Sequence, residues 1–362
     1  MAEKIMVGMS GGVDSSVAAF LLKEQGYEVT GVTFKLWDDP QADSGCCSAD
    51  DARDAAYVCQ QLGIPHYVLN YKELFRQEVV APFVAEYLRG RTPNPCINCN
   101  RAIKFGAFAH KLRELGFDRM ATGHYARCGY NAATGRWELL RAVHPAKDQS
   151  YVLYNLTQPQ LELLRLPLGD YSKEEIRAIA EKNGLVVARK PDSQDICFIP
   201  DGDYGAFLRR YTGSEPPPGN FIAEDGTVLG RHKGIARYTV GQRKGLGISL
   251  GCHAYVKRID PRCNTVELTT EERHLFCRSL TAEQVNWIAV DELTGPLTVE
   301  AKIRYAHPLS PAVISPGTTP GSVRVEFETA QRAPAPGQAV VFYRGETVVG
   351  GGTITNTEDS LC

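Results

Sequence analysis

The sequence contains no apolar run long enough to cross a membrane, which would need about 18 or more consecutive apolar residues. Its first residues, MAEKIMVGMS, lack the charged region, apolar stretch and cleavage site of a secretory leader. There is no repeat of fixed period and no low-complexity tract, and the formal net charge is only −2. These absences exclude membrane-spanning, collagen-like, coiled-coil and disordered classes, and we expect a cytoplasmic globular protein.

A disulfide framework is also not expected. The 11 cysteines are an odd number scattered through a chain without a leader, so reactive or metal-binding thiols are the better hypothesis. At roughly 100–200 residues per domain, the 362 residues predict two or three domains. Each domain is large enough to bury its own core without a metal.

The first 125 residues alternate short apolar runs with helical patterns. Strands are predicted over Ile5–Met9, Glu28–Phe34 and His66–Asn70, with helices over Ser16–Gln25 and Asp50–Leu62 between them. A glycine follows each helix, where a left-handed conformation ends it without steric cost. This order predicts a parallel sheet covered by helices.

Further elements follow toward the middle of the chain. The patterns predict a long helix over Tyr71–Arg89, a loop over Arg91–Asn100 and a strand over Arg119–Tyr125. Ser172 and Glu175 form a capping-box pattern that begins a helix ending at Gly184. We therefore extend the α/β domain over residues 1–205.

The sequence changes character after about residue 205. Ser214–Asn220 is linker-like, and the later apolar segments are short, alternating and bounded by turns. We predict a small central β-rich domain over 206–277 and a C-terminal antiparallel β-barrel over 278–362.

Charge is distributed unevenly along the chain. Residues 204–278 contain 12 Lys and Arg against 7 Asp and Glu, whereas residues 1–203 contain 23 against 26. The basic excess fits a nucleic-acid footprint, and it fits a solvated basic surface about equally well.

The glycine-rich segment Gly8–Ser16 separates the first predicted strand from the first helix. Backbone N–H groups and the helix dipole converge on an anion at such a junction. Neither the nucleotide-triphosphatase pattern GxxxxGK[ST] nor the dinucleotide pattern GxGxxG is present, which disfavours both enzyme classes. The segment predicts a phosphate site, the alternative being a glycine-rich turn without a ligand.

Two polar segments contain cysteines. Asn94–Asn100 includes Cys96 and Cys99, and Cys197 lies in the segment DSQDICF. A nearby cation lowers the pKa of a thiol and makes it a stronger nucleophile. The cations nearest in sequence are Arg101, Lys104, Arg189 and Lys190. The alternative is that these cysteines are inert buried thiols.

The Ser-Gly-Gly-x-Asp-Ser pattern in Gly8–Ser16 resembles the signature of PP-loop ATP pyrophosphatases. Over essentially its full length the chain resembles one family of that superfamily, the tRNA-specific 2-thiouridylases. The matching motifs, in order, are GMSGGVDSS (8–16), TPNPCINCNRAIKFG (92–106), ATGHYAR (121–127), KDQSYVLY (147–154), DSQDICFI (192–199), YTVGQRKGLGI (238–248) and IRYAHP (303–308).

The resemblance implies an adenine nucleotide alpha hydrolase-like domain, a parallel sheet with helices on both faces, which also contains a helical insertion for tRNA recognition. It implies an ATP site bound with Mg²⁺, with Asp14 a candidate to help place the metal. The implied ATP-binding residues are Gly8, Met9, Ser10, Gly11, Gly12, Val13, Asp14, Ser15, Phe34 and Gly123.

The implied reaction is 2-thiolation of the wobble uridine of tRNA, by adenylation of the C2 oxygen and then sulfur transfer. Cys197 would carry a persulfide and Cys99 would be its partner nucleophile, the two forming a redox disulfide. The sulfur would come from a cysteine desulfurase or a sulfur relay protein. The implied target-base and tRNA contacts are Asn94, Pro95, Cys96, His124, Lys147, Asp148, Gln149, Arg304, Tyr305 and Gln338.

One departure from the family pattern concerns Cys96, where many members have an aspartate assigned as acid and base. With Cys99 and Cys197 it supplies three thiolates, so a [4Fe–4S] cluster on Cys96, Cys99 and Cys197 is an alternative for the same reaction. Two further hypotheses are an AMP-forming PP-loop ligase for a small molecule and a tRNA-binding scaffold without catalysis.

Overall fold

The computed structural model describes residues 2–37, 49–191 and 196–359. The chain divides into two compact units. The first consists of residues 1–79, 95–202 and 346–349, and the second of residues 80–94, 203–345 and 350–362. Each unit therefore contains segments that are distant in sequence.

The first unit contains a five-stranded sheet whose described pairs are all parallel, in the order β3-β2-β1-β4-β7. Its strands are β1 (Lys4–Gly8), β2 (Glu28–Lys35), β3 (His66–Asn70), β4 (Arg119–Thr122) and β7 (Leu164–Arg165). Every residue between the ends of β2 is buried, which requires cover on both faces. The predicted parallel α/β sheet is thus confirmed.

A single apolar core joins this sheet to three of its helices. Helices α1 (Val13–Glu24), α2 (Ala49–Leu62) and α8 (Lys173–Lys182) contribute Val17, Val58 and Ile176 to it, all at 0% exposure. The other helices described here are α3 (Lys72–Phe75), α4 (Ala81–Leu88), α5 (Pro95–Cys99), α6 (Phe108–Glu114), α7 (Gln158–Leu163) and α9 (Tyr204–Thr212). The capping box predicted for α8 is present, with Glu175 N–H donating to Ser172 Oγ at 3.2 Å.

The helical stretch predicted over Tyr71–Arg89 is confirmed, since the chain is helical from Lys72 to Leu88 and takes π-helical form over Arg76–Val80. One sequence-based prediction about this part of the chain needs correction. The predicted loop Arg91–Asn100 contains helix α5 (Pro95–Cys99), which a second π-helical stretch follows over Asn100–Ala107. Proline is favoured at the first helical position, so Pro95 begins this helix.

A hairpin of β5 (Arg127–Asn131) and β6 (Arg136–Leu140) completes the first unit. Leu140 pairs with Thr347, the first residue of the last strand of the chain, β17 (Thr347–Asp359).

The second unit contains a four-stranded sheet in the order β10-β11-β8-β9. Its strands are β8 (Gly219–Ile222), β9 (Val228–His232), β10 (Tyr255–Asp260) and β11 (Thr265–Thr269). The central domain is β-rich, as predicted, and one of its strand pairs, β8 with β11, is parallel. The long connection through β9 and β10 lets the chain return in the same direction.

The rest of the second unit is an antiparallel barrel, as predicted. Its strands run in the order β12-β15-β14-β13-β16-β17, and pairing of β12 with β17 closes it. They are β12 (Phe276–Trp287), β13 (Leu297–Lys302), β14 (Ser310–Pro316), β15 (Val323–Arg332), β16 (Ala339–Arg344) and β17. Among the described residues, no helix has the length and apolarity that a membrane span would need.

Candidate functional site

The glycine-rich segment Gly8–Ser16 forms a loop at the carboxyl end of β1. Its conformation is held by its own hydroxyls: Ser10 N–H donates to Ser15 Oγ at 3.1 Å, and Ser16 Oγ donates to the Gly12 carbonyl at 2.9 Å. Gly12 is the N-cap of α1 and provides no side-chain cap. The first backbone N–H groups of α1 can therefore serve an anion, which is the arrangement that the sequence predicts.

Asp14 lies in the first turn of α1 and is the centre of a polar cluster. Its Oδ1 accepts hydrogen bonds from the Tyr125 hydroxyl and from Lys173 Nζ, both at 2.7 Å. Lys173 is only 8% exposed. The carboxylate that was expected to help place magnesium is thus held by an ammonium group and a phenol.

Sequence reasoning missed Lys173, although the sequence contains a signal. Lys173 is the first helical residue after the N-cap Ser172, where the helix dipole disfavours a cation. Glu174 and Glu175 follow it, and the positive end of the helix dipole favours such anionic side chains in the first turn. A lysine that opposes the dipole indicates a partner elsewhere in the fold, and Asp14 is that partner.

Two glycines let the chain pack closely around this loop. Gly11 has a positive φ of 70°, and a Cβ there would lie 2.3 Å from the Asp51 carbonyl oxygen. A Cβ on Gly123 would lie 2.7 Å from both the Asp14 carbonyl carbon and the Ser15 nitrogen. Gly123 therefore packs against the loop, because only glycine fits against this backbone, while its contact with adenosine stays a prediction.

We expect Gly123→Ala to weaken ATP binding about tenfold or more, since backbone contact leaves no flexible side chain to yield and overpacking costs about 1–3 kcal/mol. Gly129→Ala is the matched control, because a Cβ on Gly129 meets no atom within 4 Å. Titration calorimetry with ATP compares the two variants with wild type. Equal affinities in all three proteins would contradict the close approach at Gly123.

Phe34 lies near the end of β2 and is 7% exposed. Its ring packs edge-on against Phe108 at 4.9 Å between centroids, and a Cβ on Gly8 would be 3.4 Å from its Cε2 atom. The structure therefore places Phe34 beside the first residue of the loop. Its contact with adenosine stays a prediction.

Cys96 and Cys99 lie on the short helix α5. Cys96 is exposed, whereas Cys99 is buried at 7% exposure. The next residue, Asn100, fixes the end of this helix because its Nδ2 donates to the Val152 carbonyl at 2.9 Å. The helix thus presents one cysteine to solvent and holds the other in the interior.

Cys197 is half-buried and lies beside an aromatic anchor. The ring of Phe198, 1% exposed, packs 5.6 Å from that of Phe75 and 6.2 Å from that of Trp37. Residues 192–195 of the same motif lie outside the described part of the chain. Cys197, like Cys96 and Cys99, is a thiol.

Two of the cations expected to lower the thiol pKa values are engaged with carboxylates. Lys190 Nζ contacts Asp51 Oδ1 at 2.7 Å and Asp54 Oδ2 at 2.6 Å. Burial alone would lower the pKa of Lys190, but hydrogen bonds to these carboxylates outweigh it and raise the pKa. Arg189 is 3.8 Å from Glu181 and has a 92% exposed side chain.

His124 lies just past the end of β4, close to the loop glycine Gly123. Its Nδ1 is 2.8 Å from Thr122 Oγ1, and its ring is 5.8 Å from that of Phe105. Burial, and secondarily the charge of Lys104, lower the pKa of His124 well below its usual range. The imidazole is therefore neutral near pH 7 and suited to hydrogen bonding rather than to ion pairing.

Two of the residues predicted to contact tRNA have side chains that support the fold. Asp148 is 6% exposed, and its Oδ1 accepts from the Ala142 N–H at 3.0 Å. Gln149 Oε1 accepts from the Tyr125 N–H at 2.9 Å. Lys147 beside them is half-buried.

In the second unit, two of the three residues predicted to contact tRNA have side chains that donate to backbone carbonyls, whereas the third is exposed. Arg304 donates to the carbonyls of Arg332 and Ala333 at 2.6 and 3.0 Å. Gln338 Nε2 donates to the Thr92 carbonyl at 2.8 Å. Tyr305 is 41% exposed, with Lys302 Nζ 5.6 Å from its ring centroid, and is the best placed of the three to meet a ligand.

The described residues do not fit an iron–sulfur cluster or another resident metal. Within residues 2–37, 49–191 and 196–359, no group of three or more His, Cys, Asp or Glu side chains lies close enough to hold a metal ion. Cys96, Cys99 and Cys197 all belong to this part of the chain, so they do not form the three-thiolate site of the cluster hypothesis.

Three family models match the chain in succession. The model described as tRNA methyl transferase HUP domain matches residues 3–201, the tRNA methyl transferase PRC-barrel domain matches 205–269, and the Aminomethyltransferase beta-barrel domain matches 277–354. Together these matches account for most of the chain.

Several curated relatives are similar over nearly their full length. The protein named tRNA-specific 2-thiouridylase MnmA of Acetivibrio thermocellus is 52% identical over 357 residues, which covers 97% of this chain and 99% of the relative. That of Heliobacterium modesticaldum is 52% identical and covers 99% and 94%. A solved 4-thiouridine synthetase in complex with RNA and ATP is 19% identical with a TM-score of 0.36, covering 58% of this chain and 50% of that one, a likeness too weak for argument.

Proposed function

The chain belongs to the tRNA-specific 2-thiouridylase family, and from this premise we propose that it catalyses ATP-dependent 2-thiolation of the wobble uridine of tRNA. The products would be 2-thiouridine in tRNA, AMP and pyrophosphate. The observation that carries the proposal is that one compact unit contains both a serine-held phosphate loop and the two cysteines that sulfur transfer needs.

The first step uses the loop. The C2 oxygen of uridine attacks the α-phosphorus of ATP, the N3 proton is lost, and pyrophosphate leaves with the electron pair of the broken P–O bond. Backbone N–H groups at the start of α1 would bind the departing phosphates. Lys173 would hold the Asp14 side chain in place during this step.

The second step uses the cysteines. The outer sulfur of a Cys197 persulfide attacks C2, AMP leaves, and Cys99 then attacks Cys197 Sγ to release 2-thiouridine. In a second route, Cys99 attacks Cys197 Sγ first and expels hydrosulfide, which attacks C2. Both routes end in a Cys99–Cys197 disulfide, which a dithiol reductant reopens with two electrons.

The proton transfers need a group other than the aspartate found in many family members, since Cys96 stands in its place. A thiol of ordinary pKa, about 8.5, is mostly protonated at pH 7, whereas a carboxylate is ionised and can accept a proton. Neutral His124 offers ring nitrogens for hydrogen bonding, and its lowered pKa makes it a weak proton acceptor. We propose that His124 orients the substrate by hydrogen bonding and that Cys96 contacts the base.

Magnesium would arrive with ATP. Asp14 fits a contact to it, because its side chain keeps 32% exposure although Oδ1 accepts two hydrogen bonds. When bound, the ion would neutralise charge on the pyrophosphate.

Sulfur would come from a cysteine desulfurase or a sulfur relay protein. Because its thiols must stay reduced between turnovers, we propose that the enzyme works in the cytoplasm.

We propose that part of the tRNA-binding surface lies on β9 and on the connection between β9 and β10 in the second unit. Residues 226–259 contain seven Lys and Arg and no Asp or Glu. The exposed cations Arg231, Lys233, Arg243 and Lys244 take part in none of the ion pairs of the described residues. Arg243 also lines a groove of about 410 Å³. Such cations can replace the counterions of phosphates.

We expect the double substitution Arg243→Ala, Lys244→Ala to weaken tRNA binding and to reduce the slope of log K against log salt by about 2. The control is Lys257→Ala, Arg258→Ala, since Glu267 pairs with both of these cations. Filter binding at several salt concentrations measures the slopes. An equal change in both pairs would indicate a diffuse charge effect rather than a defined surface.

The function itself is tested with the wild-type protein purified without oxygen. Thiolation of unmodified tRNA is followed with ATP and sulfide, and iron is quantified in the same preparation. Thiolation without iron supports the proposal. Thiolation that requires about four irons per chain would favour the cluster, and ATP turnover that ignores tRNA and yields no 2-thiouridine would favour a small-molecule ligase.

A further inference from the structure

The backbone of Met9, the second residue of the glycine-rich loop, is held on both sides by strand β2 of the same unit. Its N–H donates to the Val32 carbonyl at 2.8 Å. Its carbonyl accepts from Thr33 Oγ1 at 2.9 Å. The N–H belongs to the peptide unit with Gly8 and the carbonyl to the peptide unit with Ser10. Because each unit is planar, β2 fixes both peptide planes at the entrance of the loop.

The Thr33 hydroxyl has a second partner on the neighbouring strand, β3. Its Oγ1 is 2.9 Å from His66 Nε2. A hydroxyl has one proton, and Thr33 donates that proton to the Met9 carbonyl, which cannot donate in return. His66 Nε2 must therefore be protonated and donate to Thr33. The result is a chain of two hydrogen bonds that runs from His66 through Thr33 to the loop.

This chain is not part of a surface that a ligand could reach. Thr33 and Met9 are each only 2% exposed. Gly31 provides the room for their packing, because a Cβ there would lie 3.1 Å from Met9 Cγ. Burial also lowers the pKa of His66, so its ring is neutral near pH 7. The Thr33 hydroxyl thus acts through the Met9 carbonyl and not by contact with a nucleotide.

The peptide unit that Thr33 holds leads directly into the serine contacts of the loop. Its N–H is that of Ser10, which donates to Ser15 Oγ at 3.1 Å. The carbonyl and the N–H of one peptide unit point in opposite directions within one plane, so fixing the Met9 carbonyl also fixes the Ser10 N–H. Thr33 therefore orients the stretch of loop just before the first N–H groups of α1.

We infer that Thr33 and His66 form a positioning pair for the ATP loop: His66 orients the Thr33 hydroxyl, which holds the Met9 carbonyl in the conformation that binds phosphate. This inference rests on the proposed function, which makes the loop the ATP site. Neither residue belongs to the ATP-binding set that the resemblance implies. A loop already held in its bound conformation loses less conformational freedom on binding, so loss of the pair weakens binding of ATP and not of tRNA.

The test compares Thr33→Val, which keeps the shape and removes the hydroxyl, with Thr33→Ser, which keeps the hydroxyl. His66→Leu removes the ring donor, and His66→Gln keeps an N–H donor. Thr30→Val is the matched control, because Thr30 is a buried threonine of the same strand on the opposite face of the sheet. Each full-length variant is measured for ATP Kd by titration calorimetry, for tRNA Kd by filter binding, and for melting temperature.

The positioning pair predicts that Thr33→Val raises the ATP Kd about tenfold, as expected for a lost hydrogen bond that leaves a buried carbonyl without a donor. The tRNA Kd stays within twofold, Thr33→Ser restores ATP binding, and Thr30→Val has neither effect. His66→Leu raises the ATP Kd about threefold and His66→Gln recovers it. Because His66 acts through Thr33, the double variant Thr33→Val, His66→Leu binds ATP no more weakly than Thr33→Val alone.

A wild-type ATP Kd in folded Thr33→Val would overturn the inference, and so would a loss that Thr33→Ser does not recover. An equal loss in Thr30→Val would show a general effect of altering β2 and would overturn it too. If Thr33→Val does not fold, His66→Leu and His66→Gln decide the same question, since equal ATP Kd values in both and in wild type contradict the pair. Wild type that binds ATP but does not thiolate tRNA would refute the proposed function alone, whereas wild type that does not bind ATP would refute both.

Discussion

Cys197→Ser is expected to reduce thiolation about 10³-fold or more, because a serine hydroxyl cannot carry a persulfide and no other group supplies the sulfur. Adenylation precedes sulfur transfer, so tRNA-dependent pyrophosphate release should persist within a few-fold of wild type. The measurement is parallel quantification of 2-thiouridine and pyrophosphate with a persulfide donor. Retained pyrophosphate release separates a chemical defect from a folding defect.

Cys263→Ser is the control for this experiment, since Cys263 is exposed and its N–H only closes a turn on Asp260. It should leave both readouts unchanged. Cys99→Ser distinguishes the two routes. Single-turnover transfer to C2 survives as a tRNA–Cys197 adduct if the persulfide attacks directly, and is lost if hydrosulfide must first be released. Wild-type rates in Cys197→Ser would contradict the mechanism.

Lys173→Met is expected to lower tRNA-dependent pyrophosphate release about 10²–10³-fold, comparable to the loss of one electrostatic donor in an active site. The substitution removes the ammonium group 2.7 Å from Asp14 Oδ1 and leaves the Tyr125 hydroxyl, also at 2.7 Å, to hold that carboxylate. Without the ammonium group, the Asp14 carboxylate changes position or repels the phosphates of ATP. Steady-state pyrophosphate assays over a range of ATP concentrations measure the effect.

Lys182→Met provides the matched control, because Lys182 is an exposed residue at the other end of α8. It should leave the rate unchanged. Lys173→Arg should recover part of the activity, since the charge is retained with a different geometry. In the double variant with Asp14→Asn, the losses should be less than additive, which is the signature of residues that act as a pair. Full additivity would contradict the coupling.

The sequence predicted the parts of the site that depend on local pattern. The strand, glycine-rich loop and helix from Lys4 to Glu24 follow from an apolar run, a breaker and a helical period that are contiguous. The barrel followed from short alternating segments after residue 205. Local rules worked less well for proline, which is common both in loops and at the first position of helices. Pro95 suggested a loop, yet it begins a helix.

Other features could not be predicted because they join residues distant in sequence. The contact of Lys173 with Asp14 spans 159 positions, and that of Gln338 with Thr92 spans 246. A pattern of side chains within a window says nothing about which backbone group a glutamine will meet. The same limit explains why Asp148 and Gln149 matched a tRNA-contact motif while their carboxylate and amide oxygens accept internal backbone N–H groups.

The sequence by itself determined the α/β and barrel elements, because the periods that define helices and strands are local, and its ordered motifs identified the family and with it the reaction class. Only the tertiary structure decided which charges are paired. It assigned Lys190 to Asp51 and Asp54 rather than to a thiol, Lys173 to Asp14, and Gln338 to Thr92. The physical reason is that ion pairs and hydrogen bonds depend on distances of about 3 Å, which folding sets and sequence spacing does not.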